Sequence, residues 1–331
     1  MPRQARLDYP GALHHVIARG IDGIEIFQTE KEKQAFLSRL KKRLSESNLQ
    51  IYSWCLMDNH CHLLIQTGKT SLSEFMQSVL TGYAVFYNKA HKRKGYVFQN
   101  RYKSILCQTD EYLLPLIRYI HLNPVKAKVV TFDNLAQYLW TGHKELIQNS
   151  KEGIINSLEV LRFFGTKQNE ARKAYLEYLR NGLSSQEDFM GGGLIRSLGG
   201  IEAAQRITKE ERQNYDERIL GEGSFVNEVL SRLEIVTEEK RKIFKDIDEL
   251  LERLERYYHV KKEDILRGQN KKVREARNVL VYLSNACLGE SLTAIGKILK
   301  IKQSSASRAK RKGQEVAAQK AILDQLLEDR R

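Results

Sequence analysis

Apolar positions in the N-terminal part of the chain alternate between the two-residue period of strands and the longer period of helices. Three segments with apolar side chains at helical spacing predict helices at residues 30–47, 71–91 and 110–123. Four segments rich in apolar and β-branched side chains predict strands at residues 14–20, 48–57, 60–67 and 101–108. The order β-α-β-β-α-β followed by a helix predicts an α+β fold. It is the ferredoxin-like split-βαβ arrangement, with an antiparallel sheet.

Polar residues between these segments predict where several elements begin. Asp58 and Asn59 form a turn pair that suits a hairpin between the second and third strands. Ser71 or Ser73 is expected to cap the second helix, and Asp110 the third.

The rest of the chain is predicted to be mostly helical. Glycines at 191–193 and 199–200 interrupt the pattern and predict a flexible segment. Residues 292–312 read as a helix, a short turn and a basic helix, which indicates a helix-turn-helix. We therefore expect a ferredoxin-like domain over residues 1–130, a mostly helical extension and linker over 131–224, and a helical domain with a DNA-binding helix-turn-helix over 225–331.

Composition indicates the kind of partner that the protein binds and the compartment in which it lies. Lys and Arg outnumber Asp and Glu by 55 to 41, a formal net charge of +14, which favours a polyanionic partner such as nucleic acid or an anionic membrane surface. The four cysteines include no CxxC pair and are too sparse for a disulfide framework. The polar N-terminus lacks a signal core, and no apolar run approaches the roughly 18–20 residues of a membrane span. These features predict a soluble, cytoplasmic protein without a membrane partner.

The sharpest chemical feature is the His60-Cys61-His62 triplet. Side chains alternate along a strand, so His60 and His62 share one face of the sheet and Cys61 points to the other. Two neighbouring imidazoles form two corners of a metal site, because neutral imidazole is a common metal ligand. A pair of surface histidines on a half-exposed strand is the alternative.

A second pair of interest lies on the third predicted helix. Tyr119 and Asn123 are four residues apart and share a helix face, so an amide ligand and a phenol can lie side by side. Tyrosine is a weak nucleophile at its ordinary pKa and requires help from a metal or a base. Spacing alone also fits a core aromatic at position 119, and it leaves four other tyrosines open as nucleophiles. These are Tyr83, Tyr87, Tyr102 and Tyr112.

Four segments in this order resemble the REP-associated tyrosine transposases, which are single-tyrosine HUH transposases. They are YPGALHHVIARG, WCLMDNHCHLLI, GYVFQNRYKSI and YLLPLIRYIHLNPVKAKVV. The resemblance implies that His60, His62 and Asn123 hold Mg²⁺ or Mn²⁺ and that Tyr119 attacks a single DNA strand. The products would be a 5′-phosphotyrosine and a free 3′-OH. A structural zinc site is the competing hypothesis, but the cysteines are not spaced as partners for the two histidines.

Basic residues interleaved with aromatic ones favour contact with a single strand, whose phosphates need cations and whose bases stack. The aromatic members are Tyr83, Tyr87, Tyr96 and Tyr102, and the basic members predicted to bind DNA are Arg93, Lys94, Arg101 and Lys103. A solvated basic turn beside core aromatics is the alternative. Because hairpins guide cleavage in the family resembled, folded single-stranded DNA is the expected substrate.

The C-terminal segment resembles the DNA-binding domain of the replication initiator DnaA. VREARNVLVYL matches a helix of that domain with a central arginine, here Arg277, and LTAIGKIL matches the first helix of its helix-turn-helix. The recognition helix is expected at about residues 304–312, but it lacks the initiator's base-reading run, so no sequence preference carries over. The residues predicted to contact duplex DNA are Arg277, Ser304, Ser305, Arg308, Lys310 and Arg311.

The leading hypothesis is a metal-dependent transposase that cleaves and rejoins single-stranded DNA. A catalytically inactive DNA-binding regulator is the alternative from another class, and an RNA-directed enzyme is a third. The chain is expected to be a monomer or a homodimer.

Overall fold

The structure is a computed structural model that describes residues 7–148, 153–185, 189, 216, 218–241, 243–268 and 270–328, with the backbone alone for 233–241, 327 and 328. The chain divides into two compact units, Met1–Glu228 and Val229–Arg331. The glycines at 191–193 and 199–200, predicted to be flexible, lie outside the described residues.

The N-terminal unit is built on a five-stranded sheet with the strand order β2-β3-β1-β4-β5. The antiparallel pairs β1–β3, β1–β4 and β2–β3 give the first four strands the predicted ferredoxin-like topology. The strands are β1 (Leu13–Arg19), β2 (Gln50–Met57), β3 (His60–Gln66), β4 (Lys103–Cys107) and β5 (Ile219–Leu220).

The fifth strand differs from the expectation. β5 pairs parallel with β4, Leu106 opposite Ile219, and comes from a segment predicted to be helix or linker. Two residues are too few to show the period of a strand in the sequence, so this strand is recognised only by its pairing with β4 in the folded protein.

Three long helices pack on the sheet. They are α1 (Glu30–Ser45), α2 (Leu72–Ala90) and α3 (Thr109–Lys126). The hydroxyl of Thr29 accepts from the backbone N–H of Glu32 in a capping box, and the Ser71 hydroxyl caps α2 as predicted. α1 packs against α2, whereas α3 packs against β2 and β3.

The predicted cap of α3 is wrong. The helix begins one residue earlier, at Thr109, so Asp110 lies within its first turn and Gln108 occupies the cap position without a side-chain bond to the helix. The Gln108 side chain instead accepts from the backbone N–H of Glu222, next to β5. Asp110 still favours the helix through its negative charge near the positive end of the helix dipole.

The extension that follows α3 packs with the N-terminal unit. It contains α4 (His143–Gln148), α5 (Ser157–Arg162) and α6 (Gln168–Asn181). The Tyr175 hydroxyl on α6 lies 2.8 Å from Nδ1 of His121 on α3 and 2.8 Å from Nδ1 of His143 on α4. These buried contacts attach the extension to α3.

The C-terminal unit is helical, with its own apolar core around Leu250, Leu254 and Val279. Asp246, Asn270 and Ser291 cap the helices that follow them with their side-chain oxygens. The helices after α6 are α7 (Gly223–Arg241), α8 (Ile247–Tyr258), α9 (Lys262–Arg267), α10 (Lys271–Cys287), α11 (Leu292–Ile298), α12 (Gln303–Gln319) and α13 (Ile322–Glu328).

The segment predicted as helix, turn and basic helix contains α11 and α12, which four residues separate. Lys300 between them has φ 52°, a left-handed conformation suited to a tight reversal. α12 continues beyond the predicted end at Lys312, because the glutamine, glutamate and alanine residues after Gly313 favour helix. In the part of the chain that the structure describes, no helix is both long and apolar enough to cross a membrane.

Candidate functional site

The histidine pair lies at the start of β3, directly after the predicted turn. The carbonyl oxygen of Asp58 accepts from the backbone N–H groups of Ile26 at 2.8 Å and Phe27 at 2.9 Å, and that of Asn59 accepts from Gly20 at 2.8 Å. Because five backbone positions share these bonds, the turn holds the first residues of β3 in place.

His60 and His62 share a sheet face, as the strand period predicts, and their ring centroids lie 5.0 Å apart. His62 is 1% exposed, whereas His60 is half-buried. Cys61 is fully buried, as expected for a residue facing the core. Cys61 lies on the side of the sheet that faces α2. Burial raises the pKa of Tyr83 on α2, and the nearby Cys61 thiol adds a smaller upward shift.

Both imidazoles are held neutral, with their Nδ1 atoms engaged. Burial, followed by the charge of Arg19, lowers the pKa of His60 to about 4. Burial also lowers the pKa of His62 well below its ordinary value, with contributions from His15 and His60. Nδ1 of His60 lies 2.6 Å from Oδ1 of Asn59, and Nδ1 of His62 lies 3.0 Å from Nε2 of His15. The Nε2 atoms are the nitrogens left for a further ligand.

Tyr119 on α3 lies beside this pair. Its ring centroid is 5.9 Å from that of His62 and 5.9 Å from that of His15, edge to face in both cases. The side chain is 8% exposed; Phe189 packs against it at 5.2 Å, and the Lys126 ammonium lies 5.5 Å from its ring centroid. The fold thus brings the phenol to the histidines, in a largely buried position.

Asn123 is half-buried one helical turn after Tyr119. Its Nδ2 donates to the backbone carbonyl of Tyr119 at 3.0 Å. This bond occupies the amide nitrogen, so Oδ1 is the atom of Asn123 suited to a cation.

The four other tyrosines considered from the sequence have different surroundings. The hydroxyl of Tyr83 donates to the carbonyl of Ile26, and that of Tyr87 donates to the carbonyl of Glu25 at 3.0 Å. Both phenols therefore serve the packing of α2. Tyr102 is buried, and Tyr112 is half-buried with its ring 6.4 Å from that of Phe189.

Sequence reasoning missed three residues that line this site. His15 contacts His62 and Tyr119, Arg19 lies directly opposite His60 in the β1–β3 register, and Lys126 approaches the Tyr119 ring. Lys126 follows Asn123 by three residues, so helical spacing was a usable signal for it. No local signal marks His15 or Arg19, because their role depends on β1 pairing with β3.

The predicted single-strand contacts are dispersed over a surface loop and a strand end. Lys94, Arg101 and Lys103 are exposed, and the Arg93 guanidinium lies 5.7 Å from the ring centroid of Tyr87. Of the interleaved aromatics, Tyr96 is 82% exposed, whereas the other three are buried and packed as core residues. Only Tyr96 among them is accessible for stacking with a base.

In the C-terminal unit, an open basic cavity of about 540 Å³ lies mainly between α10 and α12. Among the described residues, no Asp or Glu side chain lines it. Four of the six residues predicted to contact duplex DNA line this cavity, whereas Ser304 and Lys310 lie outside it. The basic lining residues are Arg274, Arg277, Arg308, Arg311 and Lys312.

Arg277 lines this cavity and also bonds to the backbone outside α10. Its guanidinium donates to the carbonyls of Gly268 at 3.1 Å and Leu299 at 3.1 Å. It therefore joins the segments on either side of α10, in addition to facing the cavity. Arg274, one helical turn earlier, was missed from the sequence although the three-residue spacing places it on the same face.

The comparison with protein families connects the first part of the chain to transposases. Residues 11–123 match the family model described as "Transposase IS200 like", which includes His60, His62, Tyr119 and Asn123. A search of curated proteins found no match.

Among solved structures, the chain is similar to one titled as a REP-associated tyrosine transposase bound to a REP hairpin. The identity is 15%, the match covers 45% of this chain and 87% of the other, and the TM-score is 0.38. By the family model, this chain is similar to the IS200-like transposases over residues 11–123.

Proposed function

We propose that the N-terminal unit is a metal-dependent transposase that cleaves and rejoins single-stranded DNA with Tyr119 as the nucleophile. One observation carries the proposal: the Tyr119 ring lies 5.9 Å from that of His62, whose ring lies 5.0 Å from that of His60. The similarity of residues 11–123 to IS200-like transposases supports the same reaction class.

The residues present fit a divalent cation. Two neutral imidazoles direct their Nδ1 atoms to hydrogen-bond partners, which is the usual arrangement of metal-binding histidines that coordinate through Nε2. In the described residues, no three His, Cys, Asp or Glu side chains group as metal ligands. A third protein ligand would therefore be of another type, and Oδ1 of Asn123 is our candidate. Two nitrogens and an amide oxygen suit Mn²⁺ better than Mg²⁺, which prefers oxygen.

The reaction is a transesterification. The Tyr119 oxygen forms a bond to phosphorus, the bond from phosphorus to the 3′-oxygen breaks, and the strand remains linked through a 5′-phosphotyrosine. The phenol loses its proton and the departing 3′-oxygen gains one. Because one phosphate diester replaces another, no energy source is required. A cation at His60, His62 and Asn123 would supply charge stabilisation to the phosphate oxygens.

Cations of the protein surround the same place. Arg19 lies opposite His60, and the Lys126 ammonium lies near the Tyr119 ring. Positive charge at this position favours a phosphate and the developing phenolate. The low exposure of Tyr119 keeps water from competing with the phenol.

The test is the covalent product. The full-length protein is incubated with Mn²⁺ or Mg²⁺ and an end-labelled DNA oligonucleotide that contains a hairpin, and the adduct is separated on a denaturing gel. We expect an adduct that EDTA abolishes, that Tyr119→Phe lacks, and that Tyr112→Phe on the same helix retains. Mass spectrometry of the DNA-linked peptide identifies the nucleophile.

Each other outcome favours another reading. An adduct in Tyr119→Phe but not in Tyr112→Phe makes Tyr112 the nucleophile. A mobility shift without any adduct supports the inactive regulator, and faster cleavage of RNA than of DNA of equal sequence supports the RNA-directed enzyme.

For the C-terminal unit, we propose contact with duplex DNA, supported by the basic cavity between α10 and α12. Several cations without a carboxylate among them form a surface that phosphates favour. We expect Arg311→Ala to weaken duplex binding and to lower its salt dependence, whereas Lys272→Ala, exposed on α10 outside the cavity, has a smaller effect. Equal effects of the two substitutions in a salt titration contradict this assignment.

A further inference from the structure

His15 lies next to the proposed metal ligand His62, although the chain separates them by 47 residues. β1 and β3 are antiparallel neighbours, and Ile17 lies directly opposite His62. His15 is two residues from Ile17, so it is the diagonal neighbour of His62 on the same face. Both side chains are almost completely buried.

The two imidazoles make a directed contact. Nε2 of His15 lies 3.0 Å from Nδ1 of His62, and the rings stack with centroids 5.2 Å apart at an interplanar angle of 19°. The edge of the same His15 ring meets the Tyr119 ring. His15 therefore touches both a proposed metal ligand and the proposed nucleophile.

One proton lies in the bond between the two nitrogens, and its position decides what His62 can bind. If His62 donates from Nδ1, its Nε2 carries a lone pair for a cation. If His15 donates instead, the proton of neutral His62 sits on Nε2 and blocks coordination there. His60 offers the same pattern, because the side-chain oxygen Oδ1 of Asn59 can accept from its Nδ1.

We propose that His15 is a positioning residue that accepts from Nδ1 of His62, fixing the tautomer and ring orientation in which Nε2 of His62 binds the divalent cation. The inference rests on the proposed function of the N-terminal unit. Hydrogen-bond partners of metal-binding histidines orient the ring and raise its basicity, and their loss costs on the order of 10–100-fold in metal affinity or activity.

The first test uses the unaltered protein. Full-length protein with ¹⁵N-labelled histidine is studied by NMR at neutral pH without metal, and the His62 signals are assigned with a His62→Gln sample. We expect His62 to carry its proton on Nδ1, the minor tautomer of free histidine. A proton on Nε2 of His62 overturns the proposal.

The second test measures Mn²⁺ binding by calorimetry in full-length variants. His15→Leu removes the acceptor, whereas His15→Gln can place an amide oxygen near the former Nε2 position. His14→Gln is the matched control, because His14 is equally buried on the same strand but faces the other side of the sheet. Circular dichroism verifies the fold of each variant.

We expect Mn²⁺ affinity to fall by tenfold or more in His15→Leu, to recover at least partly in His15→Gln, and to remain unchanged in His14→Gln. If a folded His15→Leu protein binds Mn²⁺ with wild-type affinity, the proposed role of His15 is wrong but the proposed metal site is not. If the wild-type protein binds no Mn²⁺, the proposed metal site itself fails and the role of His15 fails with it.

Discussion

The hydroxyl of Tyr175 lies 2.8 Å from Nδ1 of His121, two residues after Tyr119 on α3. The same oxygen lies 2.8 Å from Nδ1 of His143, and all three side chains are buried. A hydroxyl has one proton, so Tyr175 donates to one imidazole and accepts from the other. This three-residue bridge attaches α3, which carries the proposed nucleophile, to the extension that follows it.

Removing the bridging hydroxyl is expected to destabilise the N-terminal unit. Tyr175→Phe leaves two buried imidazole nitrogens without their partner, at a cost of roughly 1–3 kcal/mol for each unsatisfied group. Both tryptophans of the chain, Trp54 and Trp140, belong to this unit, so their fluorescence during urea unfolding measures its free energy of unfolding. Tyr96→Phe, at an exposed phenol, is the control. Equal stability of the two variants contradicts the bridge.

Acid is expected to weaken the same unit through His143. Burial lowers the pKa of this imidazole from 6.5 to about 4 in the folded protein. Between these values the unfolded chain binds the proton and the folded chain does not, so the free energy of unfolding falls as the pH drops from 6.5 towards 4. The contribution is at most about 1.4 kcal/mol per pH unit.

The measurement compares urea unfolding of the wild type and His143→Asn across this pH range. The asparagine retains a polar atom near Nδ1 but does not titrate. We expect a shallower fall of stability with acid in the variant. Parallel pH profiles show that His143 is not the group responsible.

Replacing each of two helical glycines by alanine is expected to change stability in opposite directions. A Cβ at Gly313 on α12 would overlap the carbonyl oxygen of Asn278 on α10, so Gly313→Ala forces the two helices apart. A Cβ at Gly82 on α2 would meet nothing closer than Arg39 Cδ at 3.5 Å. Gly82→Ala therefore gains the higher helix propensity of alanine, about 1 kcal/mol.

The readouts differ because the glycines lie in different units. Tryptophan fluorescence measures the gain in Gly82→Ala, and hydrogen exchange of peptides from residues 271–319 measures the loss in Gly313→Ala. If α10 and α12 are equally protected from hydrogen exchange in Gly313→Ala and in the wild type, the contact between the two helices tolerates a methyl group.

Arg277 is expected to stabilise the C-terminal unit apart from any contact with DNA. Arg277→Met keeps much of the apolar stem but loses the bonds to the Gly268 and Leu299 carbonyls, which involve a charged donor and are each worth roughly 1.5–3 kcal/mol. Faster hydrogen exchange around both carbonyls is the predicted result. Arg274→Met, exposed one turn earlier, is the control for the lost charge. If Arg277→Met retains full protection but binds duplex DNA poorly, the residue serves DNA contact rather than structure.

Local patterns were enough to predict much of the candidate site. Alternation along β3 places His60 and His62 on one face with Cys61 on the other, and helical spacing places Tyr119 and Asn123 on one side of α3. Both predictions depend on residues at most four positions apart, for which backbone geometry alone determines direction. The ferredoxin-like order of the first four strands followed from the same periodicities and is confirmed by the strand pairing.

The tertiary structure decided which of these residues meet and which others join them. His15 contacts His62, and Arg19 lies opposite His60, because β1 pairs with β3 across 47 and 41 residues of chain, respectively. β5 reaches the edge of the sheet from more than 100 residues after β4 for the same reason. Strand pairing and helix packing depend on contacts between distant segments, and periodicity within one segment carries no information about its partner. The separate elements were therefore readable in the sequence, whereas the neighbours of each functional side chain required the fold.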